Sequence, residues 1–241
     1  MPSASTGESF PRQAARTQRF TSGAPRAFTI TADGARVLFL RSHHGADRVG
    51  CLWSLDVASG AERLLVDPAV LDDRDEELSV AERARRERAR EASAGIVAYA
   101  VDGDASVAAF ALSSRLWVTE LATGTTRELP ATGPVLDPRP DPAGTWVAYG
   151  GAGALRLTHL ETAEQRVLAE PDGPSPAEVT WGLAEFVAAE EMDRYRGYWW
   201  APDGSALIAA RVDESPVQRW HIADPANPDR PPVDVAYPAA G

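Results

Sequence analysis

Residues 101–129 decide the fold: Val101-Asp102-Gly103-Asp104-Ala105-Ser106-Val107-Ala108-Ala109-Phe110-Ala111-Leu112-Ser113-Ser114-Arg115-Leu116-Trp117-Val118-Thr119-Glu120-Leu121-Ala122-Thr123-Gly124-Thr125-Thr126-Arg127-Glu128-Leu129. A turn bearing Asp and Gly leads into a β-type run. A short break, a second run, an Ala-Thr-Gly turn and a third run follow. Alternating apolar residues with Gly-bearing turns between them predict antiparallel strands joined by hairpins.

The same layout recurs on both sides. Upstream, Thr31-Ala32-Asp33-Gly34 opens onto Ala35–Leu40, then Cys51–Asp56, Ala58-Ser59-Gly60 and Glu62–Leu65. Downstream, Asp141-Pro142-Ala143-Gly144 precedes Thr145–Tyr149, Leu155–Leu160 and Gln165–Leu168, and Ala201-Pro202-Asp203-Gly204 precedes Ala206–Arg211. Gly103 and Gly144 are 41 residues apart, the length of one four-stranded propeller blade. The intervals Gly34–Gly103 (69) and Gly144–Gly204 (60) are longer, and each holds an insertion that restores the period. The expected fold is all-β, a partial β-propeller of about four blades with short helical insertions at about 71–93 and 178–195. A β-sandwich built from similar hairpins is the competing architecture.

Composition narrows the function. The 241 residues are 44% hydrophobic and 24% charged, which is globular rather than disordered. The 24 basic residues, all Arg, face 35 acidic ones for a net charge of -11, so no nucleic-acid partner is expected. One cysteine, Cys51, excludes an internal disulfide and a cysteine-rich metal site. No metal or other cofactor is expected, and the His43-His44 pair reads as a surface loop. No apolar run reaches the roughly 20 residues of a membrane helix, and the polar segment 1–27 lacks the apolar centre of a secretion signal. A cytoplasmic protein with no membrane partner is expected.

In the first insertion, Ser79 followed by Glu82 has capping-box spacing. Glu82–Arg86 is an attractive i,i+4 pair and Glu87–Glu91 a repulsive one, so a solvated helix projecting from a blade is expected. In the second, Leu183, Phe186, Val187 and Tyr195 recur near helical spacing while Glu185, Glu190, Glu191 and Asp193 carry acid. Trp53, Trp117 and Trp146 are read as blade core, Asp102-Gly103-Asp104 as a turn, and the Pro-rich stretch after Asp224 as an extended connection.

Glu190 and Glu191 are the candidate site. A primary ammonium offers three donors and no acceptor, so two neighbouring carboxylates can share it. Arg194 and Arg196 are placed to orient or neutralise these acids. An exposed acidic pair without a ligand has the same spacing.

Residues 181–204, from Trp181 through Glu190-Glu191-Met192-Asp193 to Arg196-Gly197-Tyr198-Trp199-Trp200 and Asp203-Gly204, resemble the double-glutamate motif and following blade of the dipeptidyl peptidase IV family of serine peptidases. The likeness is greatest to its cytosolic branch (dipeptidyl peptidases 8 and 9) and bacterial relatives. Glu76-Glu77-Leu78-Ser79 with Arg85–Arg88, Val212–Val217 and Tyr237–Gly241 fit the same resemblance, which spans most of 28–241. It implies an eight-bladed propeller, here represented by its N-terminal half, capping an α/β-hydrolase domain that removes N-terminal dipeptides. Glu190 and Glu191 would then bind the free amino group of peptide N-termini and gate access to the active site. The resemblance also implies that hydrolase domain as a partner, together with a homodimer. The sequence holds no G-x-S-x-G elbow, and His43, His44, His159 and His221 stand in no triad context. A chain inactive by itself, a piece of a longer enzyme, is therefore expected. The alternative is a stand-alone TolB- or WD40-like propeller that binds proteins.

Overall fold

The computed structural model describes residues 8–71 and 78–239. Asp72–Glu77 of the first insertion and Ala240-Gly241 of the last motif lie outside the described residues. Three four-stranded antiparallel meanders follow one another. The first is β1 (Arg26–Ile30), β2 (Arg36–Arg41), β3 (Val49–Asp56) and β4 (Glu62–Val66), with β5 (Ala94–Gly95) added parallel to the start of β3. The second is β6 (Ala100–Val101), β7 (Val107–Leu112), β8 (Arg115–Glu120) and β9 (Thr126–Leu129). The third is β10 (Leu136–Pro140), β11 (Trp146–Gly151), β12 (Ala154–His159) and β13 (Gln165–Ala169). These are propeller blades, as the repeat predicts.

The fourth repeat is built differently. β14 (Val179–Trp181) pairs with β17 (Arg211–Asp213), and β15 (Tyr198–Trp200) pairs with β16 (Leu207–Ala209). The run Ala206–Arg211, read as one strand, splits at Ala210 because the chain changes partner there. The Ala210 N–H donates to Gly197 O (2.8 Å), and its carbonyl accepts from Gly182 N (2.9 Å). β18 (Arg219–Ile222) and β19 (Val233–Ala236) form a last hairpin around the Pro-rich connection.

The turn signature has a physical basis, and its register differs from the glycine spacing. Thr31, Asp102 and Asp141 each use a side-chain oxygen to accept the amide five residues on, from Arg36 (3.0 Å), Val107 (2.8 Å) and Trp146 (2.9 Å). Three residues after each, and after Ala201 in the fourth repeat, the backbone turns left-handed at Gly34, Ala105, Gly144 and Gly204. Ala105, not Gly103, therefore holds the equivalent position in the second blade, and Asp102 and Asp141 lie 39 residues apart.

The cores lie between blades rather than inside them. Leu38, Leu40, Leu52 and Ile96 of the first blade pack on Ala108, Phe110 and Trp117 of the second. Leu116, Val118 and Leu129 of the second pack on Val147 and Tyr149 of the third. Ala148, Leu155 and Leu157 of the third pack on Tyr198, with Trp181 and Trp200 beside them. Arginines tie the outer strands together: Arg63 donates to Ala122 O (2.8 Å), and Arg127 to Leu160 O (2.5 Å).

The tryptophans are less equivalent than their spacing implies. Trp53 and Trp117 stand opposite Phe39 and Phe110 on the third strands of their blades, whereas Trp146 is on a second strand. An arginine covers each ring: Arg41 at 4.5 Å, Arg115 at 5.2 Å and Arg166 at 4.4 Å. Trp117 is buried and the other two are half-buried.

Among the described residues four α-helices decorate the sheets. α1 (Phe10–Arg16) lies in the N-terminal polar segment, and α2 (Pro68–Leu71) follows the first blade. α3 (Val80–Arg88) occupies the first insertion and α4 (Phe186–Glu191) the second. Ser79 caps α3 as expected, its hydroxyl accepting from Glu82 N (3.1 Å). The reciprocal half of the capping box does not form, because the Glu82 carboxylate is held by Arg85 (2.6 Å) and Arg86 (2.8 Å). The expected solvated helix is also corrected. Glu82 and Arg86 are 6% and 7% exposed, because they turn inward: Glu82 lines a cavity with Asp137 and Arg139, and Arg86 donates to Ser93 O (3.2 Å). Glu91, expected to repel Glu87, pairs with Arg26 at 2.8 Å.

Candidate functional site

The double-glutamate segment is a loop closed at its base by backbone. Gly182 is left-handed (φ 74°), and Leu183 and Arg196 form an isolated antiparallel bridge. Gly197 lies so close to the opposing strand that a Cβ there would meet Gly182 C, Leu183 N and Leu183 C at 2.4 Å. Between these pins, Glu185 starts α4, its carboxylate accepting from Val187 N (2.6 Å) and Ala188 N (2.7 Å). Asp193 ends the helix in a left-handed turn (φ 50°), a conformation that a short Asx side chain tolerates. The Arg194 N–H reaches back to Ala188 O at 2.9 Å.

Ala188 and Ala189 form the buried side of α4, while Val187, placed on the apolar face by its spacing, is exposed. Phe186 is clamped from two directions. The Arg88 guanidinium of α3 lies 4.9 Å from its ring centre, and Tyr237 meets it edge-on at 4.8 Å. The two insertions and the C-terminal motif, far apart in sequence, therefore converge on one short helix.

Glu190 and Glu191 are both exposed, and among the described residues neither makes a hydrogen bond or ion pair. Arg194 and Arg196, expected to orient them, are engaged elsewhere. Arg194 pairs with Glu185 (3.7 Å) and donates to Arg196 O (3.0 Å), while Arg196 Nε donates to Tyr198 O (2.7 Å). Of the four acids on this loop, Glu185 caps the helix and Asp193 ends it. The Asp193 carboxylate accepts from the Tyr195 hydroxyl (3.4 Å), whereas Glu190 and Glu191 have their acceptors open among the described residues.

Beneath the loop lies a polar cluster that sequence reading missed. Asp137, on β10, pairs with Arg139 (2.8 Å), and both line a small cavity of about 50 Å³ with Glu82, Arg85 and Tyr195. Burial raises the Asp137 carboxyl against the pull of Arg139, Arg85 and Arg196. The Tyr198 hydroxyl lies 2.6 Å from Asp137 O and 2.7 Å from Ala148 O and donates its one hydrogen between them. Burial, then the charges of Asp193 and Glu190, push the Tyr195 phenol above its ordinary range. A second cavity of about 220 Å³ is lined by Tyr195, Ala189, Leu183 and Arg85. The two glutamates line neither cavity, although their neighbours Ala189 and Tyr195 do.

The family described as the dipeptidyl peptidase IV (DPP IV) N-terminal region matches residues 107–241, more than half of the chain. Human dipeptidyl peptidase 8 is 30% identical over 125 residues, covering 44% of this chain and 13% of that protein. The mouse protein of the same name is 29% identical over 124 residues, 44% of this chain and 14% of its own length. The crystal structure of Porphyromonas gingivalis dipeptidyl peptidase 4 superposes with a TM-score of 0.65 at 17% identity, covering 98% of this chain and 32% of that one. That likeness is one of fold. The matched regions are thus a minor part of each relative's length. Among the described residues no helix is long and apolar enough to cross a membrane. With its repeated blades and its matched C-terminal half, the chain belongs to the dipeptidyl peptidase IV N-terminal-region family.

Proposed function

We propose that this chain is the recognition and gating part of a dipeptidyl peptidase IV-like serine exopeptidase, in which Glu190 and Glu191 receive the free N-terminal ammonium of a peptide. The observation that carries this reading is the loop itself. Its base is fixed by backbone contacts, its helix is clamped by Arg88 and Tyr237, and its two adjacent carboxylates have no partner among the described residues. Rigid support with open acceptors suits an external cation bearing three donors. An ammonium held there would fix the scissile bond two residues along and leave no room for a longer N-terminal extension. That is a positioning role; the nucleophile would come from a hydrolase domain outside this chain. Exposure of both carboxylates outside the flanking cavities favours the competing reading, a protein-binding propeller.

The two readings separate in the complete protein. Hydrolysis of Ala-Pro and Gly-Pro reporters would be compared with that of the same reporters acetylated on nitrogen, in the parent and in Glu190→Gln and Glu191→Gln. A desolvated charge pair contributes about 2 kcal/mol or more, about 30-fold in kcat/KM. Each variant should lose that factor on the free-amine substrate and little on the acetylated one. A solvated pair is worth about 1 kcal/mol or less. Losses under about fivefold, or equal losses on both substrates, would contradict the assignment.

A further inference from the structure

The first blade brings together three chemically distinct donors that the sequence keeps apart. His43 lies in the β2–β3 connection, Cys51 on β3, and Asp67 just after β4. β3 runs between β2 and β4, with Arg41 opposite Cys51 and Val66 opposite Leu52. This register sets the loop histidine on one side of the thiol and the aspartate on the other. One ligand atom from each residue lies within 4.8 Å of the others, and His43 Nε2 is 2.9 Å from Asp67 Oδ2.

We infer that His43, Cys51 and Asp67 bind a zinc-type divalent cation, three protein ligands leaving one position open to solvent. Metal-to-ligand lengths of about 2.0–2.3 Å with tetrahedral angles place such ligand atoms about 3.3–3.6 Å apart. His43–Asp67 lies within about 0.5 Å of the tetrahedral spacing, and a separation at the 4.8 Å limit of the trio would close by about 1.5 Å on binding. One thiolate, one imidazole and one carboxylate suit zinc and disfavour magnesium or calcium, which take oxygen ligands. The site is supported from outside the trio. Ala69 N donates to Asp67 Oδ1 (3.0 Å), and the Trp53 ring meets the His43 ring edge-on at 6.1 Å. Asp47 adds negative charge near the thiol. On binding, the metal replaces the thiol proton, which leaves to solvent, and the sulfur–metal bond forms with no change of oxidation state.

A hydrolytic Cys-His-Asp triad is the other chemistry these residue types bring to mind. It fails on geometry, because Cys51 is fully buried and its sulfur is out of reach of a substrate carbonyl. The His43 pairing is invisible in sequence, where the neighbouring His43-His44 reads as a surface loop and Asp67 lies 24 residues away.

The test is titration of the tag-free chain with Co²⁺ as a spectroscopic substitute for zinc. One equivalent should produce a thiolate-to-cobalt charge-transfer band in the near ultraviolet and visible bands of four-coordinate intensity. Zn²⁺ should displace it. His43→Ala and Asp67→Asn should each weaken binding by about tenfold or more. Cys51→Ser should remove the ultraviolet band. Because Cys51 is buried and its replacement risks the fold, the His43 variant, whose side chain is 41% exposed, carries the decision. No thiolate band at saturating Co²⁺, or affinity within threefold of the parent in both His43→Ala and Asp67→Asn, overturns the site.

Discussion

Replacing Gly197 by alanine tests whether the glutamate loop is held by backbone contact. Gly197 is not in the left-handed region, so alanine can adopt its conformation, and only space opposes the change. The added Cβ would lie 2.4 Å from Gly182 C and from Leu183 N and C, about 1 Å inside ordinary carbon contact. These are backbone atoms on the opposing strand, fixed by the Gly182–Ala210 and Ala210–Gly197 hydrogen bonds, so neither side can swing away. Overpacking of this kind costs about 1–3 kcal/mol, and the rigidity of contacts on both sides argues for the upper end. Loss of glycine's freedom in the unfolded chain returns about 0.4–1 kcal/mol. The net cost is about 2 kcal/mol, about 4–8 °C in Tm for a chain of this length. Calorimetry gives Tm, and hydrogen exchange reads the Gly182 and Ala210 amides, which should lose protection ahead of the blade cores. A Tm within about 1 °C of the parent, with both amides still protected, would refute the reasoning.

Other outcomes follow from the same contacts. Glu82→Gln removes one charged partner of Arg86, which is 7% exposed and also donates to Ser93 O, and should cost about 1–3 kcal/mol in denaturant unfolding at pH 7. Burial alone would raise the Glu82 carboxyl, but Arg85 and Arg86 outweigh it and hold it low. Its contribution is therefore complete above its unfolded value of about 4.3 and is lost as pH falls through the lower folded value. The difference between parent and variant should shrink below about pH 4, and a gap that is constant from pH 7 to pH 3 would contradict the ion pair's role. Asp137, raised by burial, has the opposite pH dependence but is common to both proteins. Ser79→Ala should cost about 1 kcal/mol through the lost cap on Glu82 N, with Ser79→Gly closer to the parent. The 241-residue chain alone should leave Ala-Pro and Gly-Pro reporters intact, because its sequence holds no G-x-S-x-G nucleophile; turnover that copurifies with it would contradict this.

The blades were legible because their turns repeat a local device. An oxygen at Thr31, Asp102 or Asp141 captures the amide five residues on, and that geometry needs only nearby residues. The exact register was not legible, since Ala105 takes a left-handed position that a glycine search assigns to Gly103. The helix carrying Glu190 and Glu191 was legible from its acids and aromatic residues, but what supports it was not. Arg88 and Tyr237 converge on Phe186 from 98 residues before and 51 after, a relation set by how blades pack. The charged insertion misled for a related reason. Its composition reads as solvated, whereas Glu82 and Arg86, paired with each other, lie on its buried face. Likewise, His43 acquires Cys51 and Asp67 as neighbours only through the β2–β3–β4 register.

The most direct measurement is a structure of the complete protein with an intact N-terminal dipeptide bound. The account places the dipeptide's ammonium nitrogen about 2.7–3.2 Å from a carboxylate oxygen of both Glu190 and Glu191. A dipeptide bound with its ammonium on other residues, while these two side chains stay in solvent, would contradict it.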